Sequence, residues 1–261
     1  MSDTIRYEKR GGVATIVLAD PPANTYSYAM MREIDAAVLD ARMDADVHAI
    51  VLRGDGEKFF CAGADIKMLR EADPGFKYAF CLHANETLNR LEQTPKLVVA
   101  ALNGHCVGGG LEVALAADLR VAKKDGGKIG LPEVNLGVLP GTGGTQRLAR
   151  AIGRARAFEL MATGRTFSFE EARELGLVHE IFDADGFDAS VRDYVARFLP
   201  PGRASRAVGL IKRAVVSGLE AGFHEGLALE RELQQRLFES DDAREGLEAY
   251  LERRAARFSG R

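Results

Sequence analysis

A change of rhythm along the chain constrains its fold more than any other feature. Up to about residue 130, short apolar runs suited to strands alternate with stretches that carry a helical stripe. Beyond Gly141 the strand-like runs nearly stop and helices follow one another. Alternation of the first kind builds βα units with largely parallel strands, so the class is α/β, with a helical layer contributed late in the chain. In detail, residues 5–10 and 13–18 read as a β-hairpin about Gly11-Gly12, because paired glycines suit the primed turns of two-residue hairpins. Ser27 is placed to cap a helix whose Met30, Ile34, Ala37, Val38 and Ala41 share one face. Residues 49–53, 97–102, 119–122 and 128–130 read as strands, and 75–93 as a helix stopped by Pro95. Later, Ser168-Phe169-Glu170-Glu171 is a capping-box pattern. Ala207, Leu210, Ile211, Ala214 and Val215 form a stripe with Lys212 and Arg213 off it, and a last helix is expected from Asp242 to about Phe258. Pro200-Pro201-Gly202 marks the expected junction between a core over 1–200 and a helical region over 201–261.

Composition narrows the function classes. With 261 residues, 46% of them hydrophobic, the chain can bury a sizeable core. A net charge of −3 weighs against nucleic acid as the main partner. Cys61, Cys81 and Cys106 contain no C-x-x-C pair and suggest neither a zinc site nor a disulfide framework. They read as packing residues in a reducing compartment. The five histidines lack metal-ligand spacing, and only His105, just before a glycine triplet, lies near a motif. No apolar run approaches the length needed to cross a bilayer, and Met1 to Arg10 lacks the apolar centre of a signal peptide. A cytoplasmic protein without a membrane partner is the expectation.

Two glutamates carry the chemistry. Glu112 follows Gly108-Gly109-Gly110 and sits on the first turn of a stretch, 109–117, that is otherwise apolar nearly all round. A buried carboxylate is costly without partners, although an acid at a helix start also complements the helix dipole. Each glycine costs a helix about 1 kcal/mol against alanine, so three at its start require a reason. Either a ligand reaches the backbone N–H groups there, or the turn packs tightly against another element. Glu133, in Leu131-Pro132-Glu133, is a second acid that reads equally well as a cap. The run Phe59-Phe60-Cys61-Ala62-Gly63-Ala64-Asp65-Ile66-Lys67 could offer another N–H or be a plain turn. Pro140-Gly141-Thr142-Gly143-Gly144-Thr145 has no following Gly-Lys-Ser/Thr and is not a P-loop. No G-x-G-x-x-G is present either, so this turn lines a site or simply packs.

Taken in order, several stretches resemble the enoyl-CoA hydratase/isomerase (crotonase) superfamily. They are Phe60-Cys-Ala-Gly-Ala-Asp-Ile-Lys67, Ala101-Leu-Asn-Gly-His-Cys-Val-Gly-Gly-Gly-Leu-Glu112, Leu131-Pro-Glu133, Leu139-Pro-Gly-Thr-Gly-Gly-Thr-Gln-Arg-Leu148, Glu171-Ala-Arg-Glu-Leu-Gly-Leu-Val178 and Glu245-Gly-Leu-Glu-Ala-Tyr-Leu-Glu-Arg-Arg254. The resemblance implies a crotonase-like spiral of ββα repeats with a C-terminal helical region that makes oligomer contacts in a homotrimer or homohexamer. It implies an acyl-CoA substrate, no separate cofactor and no metal. It places an oxyanion hole at the backbone N–H groups of Ala64 and Gly109, and catalysis at Glu112 and Glu133. Coenzyme A contacts fall to Ala62, Ile66 and Lys67, and an acyl pocket to Leu69, Phe76, Tyr78 and Phe80. The expected reaction is reversible hydration of a 2-enoyl-CoA. The alternatives are a Δ3-Δ2 enoyl-CoA isomerase or another acyl-CoA enzyme of that fold, or a non-enzymatic scaffold or RNA-binding relative. Asp20 stands near a proline turn where relatives often carry a basic residue, which puts coenzyme A contacts there in question.

Overall fold

The computed structural model describes residues 4–261; residues 1–3, the beginning of the N-terminal stretch considered above, lie outside the described residues. The chain opens with the antiparallel hairpin β1 (Ile5–Arg10) and β2 (Val13–Leu18), paired Arg10 to Val13 across the two glycines. Helix α1 (Tyr28–Met43) follows, with the Ser27 side chain accepting from the Met30 N–H. Its buried face is Met30, Met31, Ile34, Ala37, Val38 and Ala41. Strand β3 (Ala49–Gly54) leads to the short β4 (Phe59–Cys61), helix α2 (Ile66–Glu71) and helix α3 (Pro74–Gln93). The next repeat is β5 (Leu97–Leu102), β6 (His105–Val107) and α4 (Gly109–Leu115), and the third begins with β7 (Leu119–Lys123) and β8 (Lys128–Gly130). A single 3-10 turn spans Glu133–Leu136.

The helical part comprises α5 (Gly144–Ile152) and α6 (Arg154–Thr163), then β9 (Phe167–Ser168) and α7 (Phe169–Glu174) capped by Ser168. After β10 (Glu180–Phe182) come α8 (Phe187–Ala196), α9 (Ser205–Gly218), α10 (Phe223–Phe238) and α11 (Asp241–Glu252).

Each repeat gives its first strand to one sheet and its second to another. The larger sheet runs β1-β2-β3-β5-β7-β10 and is parallel from β2 onward; the smaller runs β4-β6-β8-β9. That is the spiral of ββα repeats. β5 is buried at all six positions, the apolar run required of a parallel strand covered on both faces. Asparagines tie successive turns together: Asn103 exchanges bonds with Gly54 N and O at 2.9 and 3.1 Å, and Asn24 donates to Asp55 O and Phe59 O, both at 3.0 Å.

Three features differ from the sequence reading. β4 lies in, and α2 begins in, the small-residue run read there as a turn or backbone approach. The helix of 109–117 stops at Leu115, where the buried Arg120 guanidinium takes the carbonyls of Ala114 and Ala117 at 3.3 and 2.8 Å. The last helix stops at Glu252, because Arg253 is left-handed (φ 55°) and the tail turns back so that Phe258 N–H donates to Pro201 O at 3.0 Å.

Candidate active site

A cavity of about 710 Å3 opens between the two sheets' loops and α3, and Glu112 and Glu133 both stand on its wall. Glu112 is 2% exposed, one turn into α4. The glycine turn Pro140–Gly144 wraps its carboxylate. Thr142 N–H and Gly144 N–H donate to Oε1 at 2.8 and 2.7 Å, and the Thr142 hydroxyl donates to Oε2. Burial pushes the Glu112 carboxyl up, while these three donors pull it back toward ionisation. A side chain at Gly144 would put its Cβ 3.0 Å from Glu112 Oε1, so the turn lies close against the acid it holds.

Glu133 begins the 3-10 turn and is differently placed. Its Oε2 is buried without a hydrogen-bond partner, and burial, with the nearby Glu112 charge adding, pushes the carboxyl up to about 7. It can therefore hold or release a proton near neutrality.

On the same cavity wall, two backbone segments meet. Gly109 is the first residue of α4, so its N–H has no partner within the helix. Tyr26 N–H donates to Gly63 O at 2.9 Å and Asp65 N–H to Tyr26 O at 3.0 Å, which leaves the Ala64 N–H between them outside this ladder. The two segments touch: a Cβ on Gly63, whose φ is +99°, would sit 3.0 Å from Gly109 N. The glycine triplet has structural reasons as well. A Cβ on Gly109 would lie 2.2 Å from the Tyr26 hydroxyl, and one on Gly110 would lie 2.1 Å from Cys61 O. Both readings of these glycines hold, close packing and an open N–H edge. At the far end of α4, Arg120 covers its carbonyls and so preserves a positive end facing the cavity.

The other expected residues divide. Ala62, Ala64, Ile66, Leu69, Phe80 and Gly109 line the cavity. Lys67, Phe76 and Tyr78 do not. Lys67 is exposed on α2, where its N–H completes the Asp65 cap at 2.8 Å. Phe76 is a half-covered ring between Tyr28 and Phe80, and Tyr78 is 73% exposed on the outer face of α3. A helix turns about 100° per residue, so Phe76, Tyr78 and Phe80 cannot share one narrow face. The cations that do line the cavity are Arg70 and Lys77. His105 stands apart, its Nδ1 accepting from Lys128 N–H at 3.0 Å. Asp20 also stands apart and accepts from the Thr25 hydroxyl at 3.0 Å. Buried Cys61 accepts from Gly63 N–H at 3.4 Å, its thiol pushed up to about 12 by burial; Cys81 lies on the cavity wall. Sequence reasoning missed Tyr26 and Thr142, which lie on the wall and contact each other.

Known proteins resemble the chain along its whole length. A family profile described as enoyl-CoA hydratase/isomerase matches residues 8–261. YngF of Bacillus subtilis is 37% identical over 262 residues, covering 100% of both chains. A short-chain-enoyl-CoA hydratase of Clostridium acetobutylicum is 34% identical, over 95% of this chain and 94% of its own. The crystal structure of an enoyl-CoA hydratase from Geobacillus kaustophilus superimposes with a TM-score of 0.96 at 45% identity, covering 100% of this chain and 98% of that one. On its fold and along its length, the chain belongs to the enoyl-CoA hydratase/isomerase family.

Proposed function

We propose that this protein is an enoyl-CoA hydratase, adding water reversibly across the double bond of a 2-enoyl-CoA to give the 3-hydroxyacyl-CoA. The observation that carries the reading is that two unlike carboxylates, the buried Glu112 and the part-buried Glu133, line one cavity together with the paired segments at Ala64 and Gly109. The thioester oxygen accepts from the Ala64 and Gly109 N–H groups, each such donor being worth about 3 kcal/mol as charge moves onto that oxygen. Glu112, held by three donors, orients a water and takes one of its protons as the hydroxyl bonds to the β-carbon. The electron pair of the double bond moves to form an enolate, and Glu133 delivers a proton to the α-carbon. Glu133 suits the donor role because its carboxyl is pushed up to about 7. Protons and charge balance, since one proton leaves water and one enters the product.

Ala62 and Ile66 border the coenzyme A path, with Arg70 and Lys77 as the cationic groups for its phosphates; Leu69 and Phe80 border the acyl group. The similarity to a short-chain hydratase supports starting with a short acyl chain. The apolar side chains exposed on α9–α11 support a homotrimer or homohexamer, with 201–261 as its contact region. No helix of the described residues is long and apolar enough to cross a membrane, in keeping with a cytoplasmic location.

The test is loss of the enone-thioester absorbance of crotonyl-CoA in the presence of the protein. Fast loss is expected, with Glu112→Gln and Glu133→Gln each slowing turnover by about 10²–10⁴-fold. Turnover of a 3-enoyl-CoA that survives Glu112→Gln, with no hydration of crotonyl-CoA, would replace hydratase by isomerase.

A further inference from the structure

We infer that Tyr26 is a positioning residue for Glu112: its hydroxyl donates to Thr142, whose own hydroxyl is thereby committed to one oxygen of the Glu112 carboxylate. The inference deepens the hydratase reading, and its kinetic arm rests on that reading.

The hydroxyl count gives the chain of bonds its direction. The Tyr26 and Thr142 hydroxyl oxygens are 3.1 Å apart, and Thr142 Oγ1 also bonds Glu112 Oε2. A carboxylate only accepts, so the single Thr142 proton points at Glu112, and Tyr26 must supply the proton between the two hydroxyls. Oε1 already receives two backbone N–H groups, from Thr142 and Gly144. Both of its lone pairs are occupied. Oε2 holds the Thr142 hydroxyl on one side and keeps the other free, so it is the oxygen left able to accept a proton from water. Donation from Tyr26 polarises the Thr142 hydroxyl and strengthens its bond to the ionised acid.

Tyr26 is held rigidly enough to do this. It is 2% exposed, its backbone bonds both Gly63 and Asp65, and its ring lies 5.9 Å from that of Phe80. The same ring lies against Gly109, where no side chain would fit beneath it. One residue therefore touches the Ala64 segment, the start of α4 and, through Thr142, the acid. The other groups whose charge acts on Glu112 or answers it are Glu133, the Cys81 thiol, and Arg147, which is paired with Glu92 at 2.9 Å. None of them hydrogen-bonds the Tyr26 hydroxyl, whose partner is Thr142.

Tyr26→Phe keeps the ring and deletes the donor. On crotonyl-CoA, kcat is expected to fall about tenfold with KM little changed, the size of one lost hydrogen bond. Thr142→Ser should retain activity. Thr142→Val should lose it, and Tyr26→Phe added to Thr142→Val should cost little more, because the two hydroxyls act as one chain. An arm independent of turnover uses infrared difference spectra against Glu112→Gln, which isolate the Glu112 carboxyl. Its titration midpoint should move to higher pH in Tyr26→Phe, since the anion has lost support. An unchanged midpoint, or fully multiplicative losses in the double variant, would overturn the inference. Absence of hydration by the wild-type protein would instead overturn the hydratase reading, and the infrared arm would still decide the role of Tyr26.

Discussion

Glu112 and Glu133 share a cavity but not an environment, and that difference sets a pH signature. Under the proposed roles, the competent free enzyme holds one proton between them, on Glu133 for hydration and on Glu112 for dehydration. The equilibrium between substrate and product consumes no proton, so kcat/KM in both directions must follow the same singly protonated population. Losing that proton ionises the group whose carboxyl stands at about 7. We expect kcat/KM for hydration and for dehydration to fall together as pH rises past about 7, with the limb absent in what activity Glu133→Gln retains. A flat profile through this range, measured by the absorbance assay in both directions, would remove Glu133 as the proton donor. Glu112 was readable from sequence because a carboxylate on an apolar helix needs partners, whereas Glu133 read equally well as a cap and took its role only from the family resemblance. Tyr26 and Thr142 were not readable. Their contact spans 116 positions, and neither a tyrosine nor a threonine in a glycine turn departs from ordinary packing until the fold joins them.

At the scale of elements, α9 shows where periodicity alone points the wrong way. Its apolar stripe reads as a buried face with Lys212 off it. In the structure Ile211 is 60% and Val215 55% exposed, whereas Ser205, Gly209 and Lys212 are buried. The reason is what α9 lies on. At Gly209 and Lys212 it packs against carbonyls, so closely that a Cβ on Gly209 would be 2.0 Å from Pro95 O, while Val208 beside them meets core side chains. Lys212 Nζ donates to Lys96 O at 3.1 Å and pairs with Asp118 at 3.0 Å, and Asp118 in turn accepts from Val98 N–H at 2.7 Å. A polar floor selects a polar helix face, and no property of the helix's own sequence reports that floor. The hairpin, α1 and β5 were readable because each meets side chains of the core. Lys212→Met should cost about 3–5 kcal/mol in urea unfolding, the penalty for leaving Asp118 buried and unpaired, and Asp118→Leu added to it should recover much of the loss. Equal stability of Lys212→Met and wild type would mean that the pair does not hold α9 to the core.

The outward stripe of α9 gains meaning at the scale of the whole molecule. With Leu219, Phe223, Phe238, Leu247, Tyr250 and Leu251 it leaves large apolar side chains in water along α9–α11, each at least 55% exposed. Scattered apolar residues are ordinary on a protein surface, but a run of them along three successive helices supports the proposed contact between copies of the chain. The inward face of α9 is already satisfied by the core, so a second copy of the chain is the natural cover. One chain is 28.3 kDa. Light scattering on the eluting protein should therefore give three or six times that mass, and the melting temperature should rise with protein concentration, as mass action requires. Ile211→Glu with Val215→Glu places two charges in the buried centre of such a contact while leaving the Lys212 side untouched. That variant should elute as a folded single chain. If the wild type has the mass of one chain, or if the double variant keeps the wild-type mass, then these helices do not form the assembly contact, and the stripe must be explained by some other cover.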